Sequence, residues 1–433
     1  MNQSSLSPIP YDAAVFPLIV KNNSQYRKRF HLSNYSAFKQ SFVRGQDDVT
    51  PEYRLLVDTR LIEKRTNLEN LRSLSLPQAG LGPVVQQLYQ DKITEKQQLL
   101  TLVAVAALAQ QPGAAGWAAA QTFNEVTAAV FGVPSADVFN QLRVSIRDSL
   151  STLPEPIKST EAFLRIWALC AGTLETTIPT FVSNSTVIPS SDVGIVDANV
   201  VVQFLVTKMA AIGLSDWRVE ITHKPIGSFR VYASKKLIRV PKSSVLRSRK
   251  QNRRLTPGVM EGIFAHEVLT HVIRAVNGES SKLQLLSQGL AGYLPGEEGI
   301  ATYREQLCNG ATDYAGGTMY LAIGLAFGLD RQGAKRSFRE VYTILVDYFM
   351  VRNGGLVSAS KSKAFATCCR IFICSPHLDI PLVLTRDIVY REGNIAICRL
   401  LQSNPEAAAS FDVGKYNPTD TTHVQALTSL GIL

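Results

Sequence analysis

One pattern at residues 266–271 restricts the fold of this chain more than any other feature of its sequence. The six residues read His-Glu-Val-Leu-Thr-His. They lie inside a predicted helix, because Thr256 can cap its start, Pro257 suits its first turn and the pair Asn277-Gly278 can end it. Neutral imidazoles are zinc ligands, and an adjacent carboxylate can take a proton from a metal-activated water. The pattern therefore predicts a helix that carries a metal site.

The two histidines of this pattern are one residue further apart than in the common His-Glu-x-x-His arrangement. Positions five apart differ by about 140° around a regular α-helix, so His266 and His271 could not both reach one ion at about 2.0–2.1 Å. Either the helix is locally widened into an i→i+5 turn, or the histidines share no ion and are satisfied side chains on a half-buried helix. Single π-turns are rare but occur often at functional sites. We therefore predict a widened turn over residues 268–270.

A third candidate ligand follows in residues 293–301, which read Tyr-Leu-Pro-Gly-Glu-Glu-Gly-Ile-Ala. The Pro-Gly pair can interrupt the chain, which places Glu297 and Glu298 at the start of a new helix. Two histidines from one helix and a glutamate from a following helix form a thermolysin-type ligand set. Acidic residues also favour a helix start through the helix dipole, so their position alone does not require a metal.

Together with residues 285–293 (Leu-Leu-Ser-Gln-Gly-Leu-Ala-Gly-Tyr), these stretches resemble the QEGLA-motif family of bacterial proteins. That family is related to the microtubule-associated tyrosine carboxypeptidases, zinc metallopeptidases that remove a C-terminal tyrosine from tubulin. The resemblance implies that His266, His271 and Glu298 bind one Zn²⁺ per chain. It also implies that Glu267 is the general base.

The strong similarity spans residues 266–304, and weaker similarity extends from about residue 50 to the C-terminus. Glu297 stands where the bacterial proteins have glutamine and the tubulin enzymes have glutamate, so it is not the preferred ligand. Residues 352–355 resemble a later Arg-Gly-Gly stretch of the bacterial family. There the family continues with Lys-Asp and a tyrosine, which this chain lacks at Lys361 to Phe365. The departure bears on any substrate contact those groups make, and not on the metal site.

The composition is that of an ordinary globular protein, with 45% hydrophobic and 18% charged residues over 433 positions. Residues 1–10 are polar and lack the apolar core of a signal peptide. The most apolar run, residues 99–109, is far shorter than the roughly twenty residues that span a bilayer. The six cysteines show neither a Cys-x-x-Cys motif nor a disulfide-like density. We therefore expect a cytoplasmic protein without membrane association.

Breaks in pattern divide the chain into three predicted parts. Residues 1–50 are polar and are predicted to form an irregular leader or lid. Residues 51–186 form a helical N-terminal subdomain, and residues 187–433 form the metallopeptidase catalytic domain. A Ser/Thr/Asn-rich stretch at 180–191 is the linker candidate. Helical periodicity in the subdomain is present at residues 54–71, 84–110, 116–131, 135–150 and 159–174.

Before the motif helix, the spacing of apolar residues changes from that of a helix to that of a strand. A helix over 199–212 is followed by short stretches of strand character at 217–222, 229–233 and 237–240. A free sheet edge can bind an extended peptide through main-chain hydrogen bonds. We predict an α+β, predominantly helical fold with a zincin-like metallopeptidase core and a short sheet preceding the metal-binding helix.

The residues from Arg230 to Arg254 include ten Lys or Arg and no Asp or Glu, and we call this segment the basic collar. A net charge of +10 and a pI of 9.3 are compatible with a solvated face or a nucleic-acid patch. No nucleic-acid motif accompanies the collar. It therefore favours an acidic C-terminal tail of a peptide or protein as the partner, with nucleic acid as the less favoured option.

The favoured function is a zinc metallocarboxypeptidase with Glu267 as the group that moves the proton. Such an enzyme needs a cation, preferably an arginine, to hold the terminal carboxylate of its substrate. Arg274 and Arg352 are the candidates, although each could equally form a structural or surface ion pair. The alternative is a non-catalytic or regulatory binding protein on the same fold that acts through its basic surface.

Overall fold

The computed structural model describes residues 10–22, 26, 30–46, 49–53, 59–182, 197–222, 229–247, 255–373 and 381–433. This part of the chain is mostly helical and contains a small three-stranded sheet, which confirms the predicted α+β class. Within these ranges, every helix is too short or too polar to cross a membrane.

Helices precede the sheet, and the predicted helical stretches of this region are confirmed where they are described. The stretch predicted at 159–174 ends earlier, at Cys170, because the backbone turns extended at Ala171. A π-helix, Leu71–Ser75, joins the third helix to the fourth. The helices are α1 (Phe16–Lys21), α2 (Tyr35–Val43), α3 (Thr59–Asn70), α4 (Leu76–Gln78), α5 (Pro83–Leu108), α6 (Ala114–Phe131), α7 (Ala136–Ser151), α8 (Glu155–Lys158), α9 (Glu161–Cys170) and α10 (Ala198–Ala211).

The predicted irregular leader needs correction, because α1 and α2 both lie within the first 50 residues. Each contributes apolar side chains at helical spacing. Ile19 of α1 and Val15 just before it are buried in one core, and Phe38 and Phe42 of α2 are buried in another. Side chains four positions apart share one face of a helix, so these pairs stabilise short helices that local propensity alone would not.

The sheet has three short strands, as predicted: β1 (Arg218–Ile221), β2 (Arg230–Tyr232) and β3 (Leu237–Val240). Their spatial order is β1-β3-β2, with β1 parallel and β2 antiparallel to the central strand. The outer strands are therefore the two edges. Strand β2 also contacts the helix that carries the histidine motif.

Helices return after the sheet. Among the described residues, a 3₁₀ segment at Ala233–Lys235 joins β2 to β3, and two more follow at Thr385–Ile388 and Pro405–Val413. The motif lies on the π-helix Phe264–Val272, between α12 and α13. The α-helices are α11 (Ser243–Arg247), α12 (Pro257–Ile263), α13 (Ile273–Ser280), α14 (Leu285–Gln288), α15 (Leu294–Asn309), α16 (Gly317–Ala326), α17 (Phe338–Arg352), α18 (Val357–Ile371), α19 (Val389–Ser403) and α20 (Thr421–Ser429).

The predicted start of the motif helix is confirmed, but its predicted end is wrong. The side chain of Thr256 accepts a hydrogen bond from the amide of Val259, as an N-cap does. At the other end the helix continues through Gly278 to Ser280. A Cβ at Gly278 would lie 2.4 Å from the backbone nitrogen of Ser287, so this glycine permits a close approach of α14 and is not a stop signal.

Two large hydrophobic cores each combine side chains from the N-terminal helices with side chains from the C-terminal half. A third core joins α10, the sheet and the motif helix, and it buries Val268 and Val272. On the other side of the motif helix lies α15, which crosses α19 at very short range. A Cβ at Gly299 would lie 2.4 Å from the carbonyl oxygen of Gly393, so the crossing requires glycine. The motif helix is thus fixed between the sheet and α15.

Candidate metal centre

His266 and His271 lie on the π-helix Phe264–Val272, which confirms the predicted i→i+5 widening. The wider turn brings the two imidazole rings to the same side, with their centroids 5.1 Å apart. Two donors stabilise the widened segment. The hydroxyl of Thr270 donates to the carbonyl of Ala265 at 2.9 Å, and Arg304 Nη1 donates to the carbonyl of Leu269 at 2.5 Å.

Glu298 completes the cluster from the first turns of α15. Its Oε2 lies 3.9 Å from Nε2 of His266 and 3.7 Å from Nε2 of His271. One ligand atom from each of the three residues lies within 4.8 Å of the other two. Zinc–ligand distances are about 2.0–2.2 Å, so one ion can contact both atoms of a pair separated by up to about 4.2 Å.

The environment of Glu298 provides a test of whether a cation fits this cluster. The residue is buried, and its Oε2 has no hydrogen-bond partner among the described residues. A buried carboxylate oxygen without a partner is costly, because it has lost water and gained nothing in exchange. That oxygen lies within 4 Å of Nε2 of both histidines. The donor set of two nitrogens and one carboxylate therefore fits a divalent cation and suits zinc.

Each histidine is oriented by a carboxylate on the ring nitrogen that faces away from the cluster. Nδ1 of His271 lies 2.8 Å from Oε1 of Glu297, and Nδ1 of His266 lies 2.9 Å from Oε2 of Glu305. Carboxylate–histidine pairs of this kind fix the ring tautomer and raise the basicity of the other nitrogen. When a ring is neutral and donates its Nδ1–H to this carboxylate, its Nε2 is left as an acceptor that faces the cluster.

Glu297 is held by two cations, of which Arg274 is fully buried and Lys415 is partly buried. Arg274 Nη1 donates to its Oε2 at 2.6 Å, and Lys415 Nζ lies 3.5 Å from its Oε1. Burial by itself raises the pKa of Glu297, but Lys415, Arg274 and the bond to His271 together lower it far below its ordinary value. Glu297 therefore stays ionised and supports His271, while Glu298 faces the cluster.

The substrate-binding role predicted for Arg274 is contradicted by its burial. The side chain has no exposed surface, and besides Glu297 it donates to the carbonyls of Gly414 and Tyr416 at 2.9 and 2.7 Å. A side chain enclosed in this way cannot receive a substrate carboxylate. Helical periodicity placed Arg274 on the polar face, but the loop after Pro405–Val413 covers that face.

Negative charge is concentrated around His266. Burial lowers the pKa of His266, but the hydrogen bond to Glu305 and the charges of Glu267, Glu305 and Glu298 outweigh it and raise the pKa to about 9. Burial also raises the pKa of Glu267, despite the opposing effect of the two histidines. Glu267 forms no hydrogen bond or ion pair with another residue of the described ranges. The cluster thus attracts positive charge and includes a carboxylate that is available to take a proton.

Comparison with known protein families decides the identity of the chain. A family model described as "Microtubule-associated tyrosine carboxypeptidase" matches residues 189–433, which is more than half of the 433 residues. The chain belongs to this family. Among curated proteins and among solved structures, none matches it significantly. The match to the tyrosine carboxypeptidase family confirms the relation that the sequence motifs indicated.

The second predicted substrate-binding arginine is not brought to the cluster that this family member forms. Arg352 ends α17, which packs mainly against α9, α16 and α18. Its exposed guanidinium donates to the hydroxyl of Tyr348 at 3.0 Å and stacks on that ring. The segment Lys361 to Phe365, where the chain departs from the bacterial pattern, lies in α18. There Phe365 is buried in an aromatic group with Phe38 and Phe338.

The basic collar can be described only in part. Arg249, Lys250, Arg253 and Arg254 lie outside the described residues. Within the described part, Arg230, Lys235 and Lys236 are exposed, and Lys236 forms an ion pair with Asp216. The position of the collar relative to a substrate therefore remains a prediction.

Two residues of the site were missed by sequence reasoning. Glu305 could have been found, because it follows Glu298 by seven residues and so lies two helical turns along the same face. Arg386 carried no local signal. Its Nη2 lies 3.8 Å from Oε1 of Glu298, although Arg386 belongs to a distant 3₁₀ segment, and only the tertiary fold brings the two together.

Proposed function

We propose that this chain is a zinc-dependent metallocarboxypeptidase with a zincin-like core that releases the C-terminal residue of a protein or peptide. One observation carries the proposal: Oε2 of Glu298 is buried, has no hydrogen-bond partner within the described ranges, and faces Nε2 of both His266 and His271 on a widened turn. Family membership supports the hydrolase class and a protein substrate with a C-terminal tail.

His266, His271 and Glu298 would hold the ion, with Glu305 and Glu297 fixing the two imidazoles. When bound there, zinc supplies Lewis acidity and a water whose pKa is lowered toward 7. Glu267 follows the first ligand directly on the π-helix, and burial raises the pKa of its carboxylate. A carboxylate with a raised pKa is a better proton acceptor near neutral pH. Glu267 takes the proton of the attacking water and delivers it to the leaving amine.

The substrate is proposed to be a flexible, acidic C-terminal tail. Strand β2 is an edge of the sheet and contacts the π-helix, so an extended peptide can pair with this edge beside the cluster. The neighbouring basic collar would attract Glu-rich tails from a distance. Long-range attraction raises association rates and is screened over about 8 Å at physiological salt.

Salt dependence tests this choice of substrate. We expect release from Glu-rich peptides to show a kcat/KM that falls with added salt and with charge reversal of Arg249, Lys250, Arg253 and Arg254. Peptides with basic ends should be cleaved more slowly and respond little to salt. Equal rates on acidic and basic tails, or cleavage within the peptide, would assign the collar to another partner.

Metal content and single-residue release test the proposed activity together. Purified wild type should contain one zinc per chain by inductively coupled plasma mass spectrometry and shorten peptides by one C-terminal residue. Glu267→Gln should retain zinc but lose turnover, whereas His271→Ala and Glu298→Gln should lose stoichiometric zinc. Glu279→Gln is the matched control, because Glu279 is exposed on the same helical segment and should behave as wild type. Zinc loss in Glu267→Gln with full retention in Glu298→Gln would overturn the assigned roles.

The second candidate is a non-catalytic or regulatory binding protein on the same fold. It is favoured by the net charge of +10 and the exposed cations Arg230 and Lys235. A folded wild type that binds stoichiometric zinc yet releases no residue from a broad peptide library would support this candidate. Binding of acidic peptides or nucleic acid to the same protein would then name its partner.

A further inference from the structure

A pocket of about 300 Å³ is connected to the candidate metal centre through one of its lining residues, Arg386. Arg386 lines this pocket, and its Nη2 is 3.8 Å from Oε1 of Glu298, the carboxylate whose other oxygen faces the two histidines. The pocket and the metal centre are therefore separated by a single guanidinium–carboxylate contact. A molecule in the pocket that touched Arg386 would reach the immediate surroundings of the proposed ion.

The floor of this pocket carries two guanidinium groups, those of Arg370 and Arg386. Arg370 makes a bidentate ion pair with Asp387, and Nη1 of Arg386 donates to the same carboxylate at 3.2 Å. Two guanidinium groups thus share one aspartate, and Arg386 also forms an ion pair with Oε1 of Glu298. The other oxygen of Glu298, Oε2, faces the two histidines.

Arg386 also has unused hydrogen-bonding capacity. It is only 8% exposed, and its bond to Asp387 is the one hydrogen bond that it makes with the described residues. A guanidinium carries five N–H donors in a fixed fork that matches a carboxylate. A nearly buried arginine with free donors at the end of a pocket is well suited to bind an anion, because water competes weakly there.

The walls of the pocket are mainly apolar. They include Phe30, Leu32 and Tyr35 from the N-terminal region and Ile373 and Leu384 from the C-terminal half. An anion that enters this pocket would therefore carry an apolar or aromatic group beside its charged group. The last residue of a peptide has that character when its side chain is apolar, because its α-carboxylate adjoins the side chain.

We propose that Arg386 binds the α-carboxylate of the substrate's last residue and that the apolar wall receives the side chain of that residue. The inference rests on the proposed carboxypeptidase function, and it assigns to Arg386 the role that the sequence suggested for Arg274 and Arg352. It also gives the N-terminal segment a part in the site, since Phe30, Leu32 and Tyr35 form one side of the pocket. A role limited to orienting Glu298 is the competing explanation.

Binding of matched peptides separates these two explanations without turnover. The probe is a fluorescent Glu-rich peptide that ends in Phe, made with either a free carboxylate or a C-terminal amide. Zinc-loaded Glu267→Gln protein should bind the acid form far more tightly than the amide. Adding Arg386→Gln should weaken binding of the acid by about 30-fold or more, as loss of a buried charge partner does, and leave binding of the amide within about twofold. Arg386→Lys should restore part of the preference, because lysine keeps the charge without the fork.

Arg72→Gln in the same background is the control for loss of an arginine, since Arg72 is exposed in the N-terminal helical region. An acid-to-amide ratio that is unchanged in Arg386→Gln would overturn the inference, and so would loss of bound zinc or equal weakening of both peptides. If Arg386→Gln does not fold, an unchanged ratio in Arg386→Lys overturns it in the same way. A wild type that releases no residue but shows an Arg386-dependent ratio would refute the hydrolysis and leave the carboxylate site standing.

Discussion

The two histidines of the metal centre are supported in different ways. His271 is backed by Glu297, whose side chain is 3% exposed and is held by the fully buried Arg274. His266 is backed by Glu305, whose side chain is 37% exposed and borders solvent. Both bonds have nearly the same length, 2.8 and 2.9 Å. Their energetic weight should nevertheless differ, because charges in a dry interior cannot exchange a lost partner for water.

This difference indicates that the two supporting glutamates have different roles on the two sides of the widened turn. On the His271 side, the carboxylate belongs to a buried network that also ties α13 to the loop at Gly414 and Tyr416, so it contributes to the fold. On the His266 side, the carboxylate of Glu305 pairs with the histidine alone among the residues that the structure describes. Substitution of Glu297 should therefore mainly lower stability, and substitution of Glu305 should mainly lower metal affinity.

The largest effect is expected for Glu297→Gln. This change leaves Arg274 buried without its charge partner, and breaking a buried pair in this way costs about 3–5 kcal/mol. The free energy of unfolding of the metal-free protein, measured by urea denaturation, should fall by that amount. Glu305→Gln is the matched control and should change it by less than about 1 kcal/mol. Equal losses in the two variants would remove the distinction between the two sides.

The pH dependence of the stability difference between wild type and Glu297→Gln tests whether Glu297 is ionised in the folded protein. Because folding lowers the pKa of Glu297, its ionised form contributes stability that is fully present above the unfolded pKa of about 4.3. This contribution is lost as the pH falls through the folded pKa. The gap in unfolding free energy between wild type and Glu297→Gln should therefore be widest near pH 7 and narrow below about pH 4. A gap that is constant from pH 7 to pH 3 would show that Glu297 is not held as an anion.

Glu305→Gln should mainly affect the metal. Loss of a carboxylate that orients a histidine ligand weakens metal affinity by about 10–100-fold, and the exposure of Glu305 favours the lower end of this range. Competition with a chromophoric zinc chelator measures the change. An unaltered zinc affinity would mean that His266 does not depend on this carboxylate for its orientation.

The smallest effect concerns the turn between the two histidines. Thr270→Val removes the hydrogen bond to Ala265 and should cost about 1 kcal/mol of stability, with a further loss of zinc affinity as the turn relaxes. Thr367→Val is the control, because Thr367 is also buried and donates to the carbonyl of Lys363 in the regular helix α18. It should lose similar stability while zinc affinity is unchanged. Identical zinc affinities in both variants would argue against a role of Thr270 in shaping the site.

The parts of this site that are formed by residues close together in the chain could be predicted from the sequence. The five-residue spacing of His266 and His271 required a wider turn, and the structure has one. The Pro-Gly pair correctly indicated a new helix that starts before Glu298. The end of the motif helix was predicted wrongly because glycine has two uses, and at Gly278 it serves close packing and not a turn.

The parts that sequence could not predict depend on contacts between distant segments. Periodicity showed Arg274 on a polar face, but only the fold shows that a loop from the C-terminal region encloses it. The same applies to Arg386, which meets Glu298 through the packing of several helices and carries no motif of its own. The environments of both arginines are set by residues distant in the sequence, and helical periodicity gives no information about those residues.

Anomalous diffraction at the zinc edge, from crystals grown with equimolar zinc, tests whether His266, His271 and Glu298 bind one ion. We expect a single strong peak at about 2.0–2.2 Å from Nε2 of His266, Nε2 of His271 and a carboxylate oxygen of Glu298. A peak held by other residues, or an ordered triad without a peak, would contradict this expectation.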